Sequence, residues 1–226
     1  MNSVVKDWNP KQALLRSIIL KKDKFDESIK LIYELHSMVH ASEVYNKEEK
    51  TIEDELWDGL DLKVCSIMPT PKDTTIAWNI WHITRIEDLT VNILIANEAQ
   101  EFNLGKWQTR LNTDVMDTGN AMSVNEIIDF SSKLDMHELM NYRIAVGKRS
   151  RNVLKTLNPI DFKSKVQPDR LNRILNEGGV LDVEGSRWLL DFWGKKNVAG
   201  LILMPVTRHQ LVHLNDSMKI KKKCKV

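Results

Sequence analysis

The chain has 226 residues, in which 33 lysines and arginines nearly balance 31 aspartates and glutamates for a formal net charge of +2. That balance leaves no basic footprint for a polyanion, so nucleic acid is not expected as a partner. With 42% hydrophobic and 28% charged residues, the composition excludes a disordered or membrane-dominated chain, and the length favours one domain spanning 1–226 over two.

The first 25 residues, "MNSVVKDWNPKQALLRSIILKKDKF", surround a short apolar stretch with charges. They read as neither signal peptide nor anchor, and no run approaches the roughly 18 apolar residues of a membrane span. Cys65 and Cys224 show no pairing pattern and no CxxC spacing, which fits a reducing compartment and a cytoplasmic location.

From about residue 23, the residues Phe25, Ile29, Ile32, His36, Val39 and Val44 recur at close to helical spacing, predicting a long first helix. Residues 46–74 break the pattern and read as a long crossover, with one short helix around 51–58. A second helix follows, capped by Asp73 or Thr74, with Trp78, His82, Ile86, Leu89 and Ile93 on one face. His82 sits in the middle of that stripe.

Residues 105–122 have loop composition. "SVNE" (123–126) and "DMHE" (135–138) are capping-box patterns that open a short helix and then a long one, which ends before Pro159. Two shorter helices are expected from Pro168 to Gly178 and over 184–194. The last long helix runs from about Lys195 to Lys219, with Ile202, Val206, His209 and His213 on one face and an interruption at Pro205. The basic end "KIKKKCKV" (219–226) reads as a solvated tail. Alternating strand patterns and glycine-rich phosphate loops are lacking, so the expected fold class is all-α, a four-helix bundle with long connections.

Residues four apart on a helix share a face, so His209 and His213 can converge on one ion, and His82 is the best third donor from another apolar stripe. Three imidazoles directed into one bundle call for a shared partner, because buried imidazoles cost desolvation unless both nitrogens are satisfied. Three protein ligands leave a coordination position for water or substrate, the arrangement of catalytic metals. The competing reading is three separate hydrogen-bonded core histidines. His36 and His40 repeat the four-residue spacing and are expected to border the pocket as proton-transfer or substrate-binding groups, or to supply a fourth ligand. Glu87, Asp88 and Asp216 are the candidate catalytic or orienting acids, with Asp216 placed to hold the free ring nitrogen of His213. Arg85 and Arg208 could grip a substrate carboxylate, and Trp78 could wall the pocket with Trp81, Trp188 and Trp193, although core packing explains the tryptophans better.

"TIAWNIWHITRIED" (75–88) together with "LMPVTRHQLVHLND" (203–216) resembles the DinB/YfiT-like superfamily, and the resemblance spans most of the chain. It implies a four-helix bundle with long first and third connections, frequent dimerisation, and a divalent metal, often zinc or nickel. By that resemblance the ligands are His82, His209 and His213. Some relatives are transferases or isomerases that use mycothiol, bacillithiol or glutathione. The expected function is therefore a metal-activated water or thiol attacking a small electrophilic substrate, in a homodimer. The alternative is a metal-stabilised bundle acting as a stress-related binding protein without turnover.

Overall fold

The computed structural model describes residues 3–224, so residues 1, 2, 225 and 226, including the last two of the basic tail, lie outside it. Among the described residues the fold is all-α, and its only strand-like feature is one isolated antiparallel bridge between Lys165 and Asn197.

The chain opens with α1 (Ser3–Ile18), a helix the sequence reading did not anticipate. Trp8, Gln12 and Leu15 form its inner face, continued by Ile19 just past its end, and polar Gln12 interrupts what would otherwise read as an apolar stripe. Gln12 is buried because its Nε2 donates to the carbonyl of Leu203, 2.8 Å away. Packed against it is α2 (Phe25–Met38), shorter than the helix predicted from about residue 23 to Val44. The helix stops because the Val39 amide turns back to His36 O, and Val44 reaches the core from a separate turn, Ser42–Val44.

In the crossover, α3 (Ile52–Trp57) is capped reciprocally by Thr51 and Asp54. Next comes α4 (Ile76–Asp88), every residue of which is buried, and which continues as a π-helical stretch, Leu89–Ile95. Its cap is Thr75, whose side chain accepts from the Trp78 amide; the expected caps are engaged elsewhere, Asp73 with Lys223 and Thr74 with Asn79. Short α5 (Glu101–Leu104) and α6 (Trp107–Arg110) precede a loop. Then α7 (Val124–Lys133) opens with the full Ser123/Glu126 capping box. Asp135 caps α8 (Met136–Thr156), but Glu138 does not reach back, because Arg110 and Asn141 hold its carboxylate.

The two predicted short helices are α9 (Pro168–Asn176) and α10 (Glu184–Gly194). They close a second apolar cluster, in which Ile174, Leu189 and Trp193 cover Leu89 and Ile93 of the α4 extension. Trp78, Trp81 and Trp193 are core residues, whereas Trp188 is 51% exposed and meets Phe192 edge to face. The last helix begins at α11 (Val198–Leu201), passes through a π-helical stretch, Ile202–Arg208, and continues as α12 (His209–Cys224). The wider π turn accommodates Pro205, which has no N–H to donate. Far from fraying at 219, the basic end stays helical, and Lys221 is buried with its Nζ donating to the carbonyls of Glu55, Leu56 and Asp58 at the end of α3. At the centre of the bundle, α4 packs against both α8 and α12, and α2 lies against the π stretch.

Candidate metal centre

His82 comes from the middle of α4, and His209 and His213 from the first turns of α12. Their ligand atoms all lie within 4.8 Å of one another. The rings are 4.6–5.0 Å apart, centroid to centroid. The π stretch ends where His209 begins, so the helical phase that turns both imidazoles toward α4 is set immediately behind them.

Two of the rings are locked by their far nitrogens. His82 Nδ1 lies 2.7 Å from the carbonyl of Thr118, which can only accept, so Nδ1 carries the proton and Nε2 keeps its lone pair. His213 Nδ1 lies 2.9 Å from Asn79 Oδ1, which also accepts from Thr74, and the same reasoning leaves Nε2 free. His209 Nδ1 is buried without a hydrogen-bond partner among the described residues. Burial holds His82 down to about 3, with His213 adding to the effect, and holds His213 down to about 4. Burial, followed by His82, His213 and Arg143, pushes His209 well below its ordinary value. Neutral imidazoles with directed lone pairs are what a divalent ion requires, so the donor set fits a metal.

His82 is fixed by a strap as well as by its own helix. Four consecutive carbonyls accept from four side chains of α4: Met116 O from Arg85 (2.7 and 2.9 Å), Asp117 O from Trp81 (3.0 Å), Thr118 O from His82 and Gly119 O from Trp78 (3.2 Å). Trp78 in turn stacks flat on His82, with centroids 4.6 Å apart and planes 8° from parallel. These carbonyls lie within residues 105–122, whose loop composition gave no sign of their role.

A cleft of about 250 Å³ borders His213, lined by Lys72, Thr74, Asn79, Asp216 and Ile220 among others. Asp216 is half-buried there and paired with Lys219 at 2.7 Å; it does not orient His213, because Asn79 does. Arg208 is exposed on the helix beside His209.

Other predicted site residues lie elsewhere. Arg85 is fully buried and spends all five N–H groups on Met116 O, Asp88, Tyr142 and Gln100, which leaves none for a substrate. Asp88 accepts from Arg85, Tyr142, Asn92 and the amides of Glu101 and Phe102, so it is a structural hub and not a proton acceptor. Glu87 faces away from the three histidines. Its two oxygens accept from His36 Nε2 at 2.8 Å and His40 Nε2 at 2.9 Å, which removes His36 and His40 from the pocket they were expected to border and from the role of fourth ligand.

An all-α bundle that brings three inward-facing histidines together from α4 and α12 is a candidate metal-binding bundle. The DinB superfamily model matches residues 53–215, and this chain belongs to that superfamily. None of the curated proteins matches it.

Proposed function

We propose that this chain is a divalent-metal-dependent enzyme in which His82, His209 and His213 hold one ion, zinc or nickel, and in which a water or a low-molecular-weight thiol attacks a small electrophilic substrate. The observation that supports this most strongly is the convergence of three imidazoles, two of them locked through Nδ1 and one of them, His213, lining an open cleft. Bound there, a divalent ion supplies Lewis acidity, lowering the pKa of water or thiol so that the nucleophile forms near neutral pH.

The chain's own residues supply the rest. Thr118 O and Asn79 keep two ring nitrogens directed inward, and Trp78 shields one face of His82 from water. On the cleft wall, Asp216 is the acid placed to take up a proton, replacing Glu87 and Asp88 in that role. Lys72 at the cleft and Arg208 beside His209 are the cations assigned to an anionic group of substrate or thiol, in place of Arg85. The proposal includes a cytoplasmic homodimer; among the described residues no helix is long and apolar enough to cross a membrane.

The test is turnover by zinc- or nickel-loaded protein on small electrophiles with glutathione, bacillithiol or mycothiol, beside ester and amide hydrolysis without thiol. Activity that requires both metal and one nucleophile, and that His209→Ala/His213→Ala abolishes, supports the proposal. A metal-loaded protein that turns over neither substrate class overturns it in favour of a non-catalytic metal-stabilised bundle.

A further inference from the structure

The bundle contains a second cluster of ligand-type side chains that the proposed reaction does not use. His36 and His40 stand at the end of α2 with stacked rings 4.1 Å apart, and both Nε2 atoms are directed at Glu87 of α4, one at each carboxylate oxygen. All three side chains have zero exposure. Behind them, His36 Nδ1 is hydrogen-bonded to Tyr45 Oη at 2.7 Å. His40 Nδ1 backs onto Gly147, where an added Cβ would come within 2.6 Å, so only glycine lets the ring sit at this depth.

The charges around the cluster are unevenly matched. Arg143 is the nearest guanidinium, but its Nε donates to Glu53 and its Nη2 to Val39 O, and it approaches Glu87 only to 3.7 Å. Two buried carboxylates thus share one guanidinium, and Arg143 meets Glu87 at ion-pair rather than hydrogen-bond distance. The ligand atoms of His36, His40 and Glu87 all lie within 4.8 Å of one another, so one cation placed among them would touch all three side chains.

We propose that His36, His40 and Glu87 form a second divalent-metal site, closed and structural, with two imidazole nitrogens and both carboxylate oxygens as its four donors. Donors around zinc at about 2.1 Å lie roughly 3.0–3.4 Å apart, so the present 2.8 and 2.9 Å contacts need to widen by only a few tenths of an ångström. Metal binding at Nε2 would move each Nε2 proton to the far ring nitrogen, where His36 Nδ1 can donate to Tyr45 Oη at 2.7 Å and His40 Nδ1 has no hydrogen-bond partner among the described residues. With four protein donors and no exposure, it has no position for substrate, in contrast to the three-histidine site beside its cleft. A divalent ion here ties α2 to α4 without taking part in turnover.

The test is zinc titration of metal-free, tag-free protein against a chromophoric chelator, comparing wild type, His209→Ala/His213→Ala and Glu87→Gln. The expected result is two sites in wild type and one in each variant, with the Glu87→Gln site loss amounting to at least a hundredfold fall in affinity. One wild-type site that disappears in His209→Ala/His213→Ala and survives Glu87→Gln overturns the second site and leaves the three-histidine reading intact. One site with the opposite pattern supports the second site and removes the three-histidine reading. Should Glu87→Gln fail to fold, His209→Ala/His213→Ala decides alone: X-ray absorption of its zinc should show two imidazoles and carboxylate oxygen, and absence of bound zinc overturns the proposal.

Discussion

Asn79 Oδ1 receives the Nδ1 proton of His213 across 2.9 Å, joining the first turn of α4 to the second turn of α12 over 134 residues of sequence. This bond decides which nitrogen of His213 faces the other two imidazoles. Asn79→Ala should therefore weaken zinc binding at the three-histidine site by about 10–100-fold, the usual effect of removing the hydrogen bond that orients a ligating imidazole. Competition titration of the variant checks it, and unchanged affinity would show that His213 is held by its helix alone.

The strap at 116–119 should be equally sensitive. Gly119 has a positive φ of 74°, and a Cβ there would lie 2.7 Å from Trp78 Nε1. Gly119→Ala should cost about 1–2 kcal/mol from backbone strain alone, and more if Trp78 shifts. Denaturant unfolding measures the loss, and weaker zinc binding should accompany it because Trp78 stacks on His82.

Arg85 and Asp88 stabilise the fold without touching the reaction. Removing one partner leaves the other charged and buried, so Arg85→Ala should destabilise by about 3–5 kcal/mol. Because Arg85 also holds Met116 O of the strap, variant protein that remains folded should bind zinc somewhat more weakly than wild type, in step with its loss of stability. A selective loss of substrate affinity with unchanged stability would return Arg85 to the site.

Acid should destabilise the metal-free protein through its histidines. His82 and His40 are held at about 3 and His213 at about 4 when folded, against an unfolded value of 6.5. Below 6.5 the unfolded chain binds more protons than the native one, so their contribution is fully present above pH 6.5 and is lost as pH falls toward the folded values. Each group adds a slope approaching about 1.4 kcal/mol per pH unit. Unfolding midpoints in chelator between pH 7 and 5, above most carboxylate titrations, should fall steeply; a flat profile would contradict the burial of these rings.

Periodicity alone placed His82, His209 and His213 on inward faces, because each lies in a strong apolar stripe and a helix fixes the direction of its side chains. Caps, prolines and glycines also located α7, α9 and α10, and the short helix expected around 51–58 corresponds to α3. Periodicity missed α1, where buried Gln12 breaks the stripe, and it extended α2 past Met38, because Val39 and Val44 keep the apolar spacing through a turn. Partners were less legible than faces. Arg85, Glu87 and Asp88 follow His82 closely in sequence, yet each points to a different neighbour: the strap, α2, and the start of α5. The Thr118 carbonyl that fixes His82 carries no sequence signal, since any residue can supply it. Lys221 looked like part of a solvated charge run, and only the open carbonyls at the end of α3 explain its burial.

The most direct test is metal content by mass spectrometry of tag-free protein, wild type beside His209→Ala/His213→Ala. The account predicts that the variant, still folded, carries one divalent ion fewer per chain than wild type. Equal metal content in the two proteins, or a folded wild type that holds no metal even after dialysis against zinc and nickel, would contradict it.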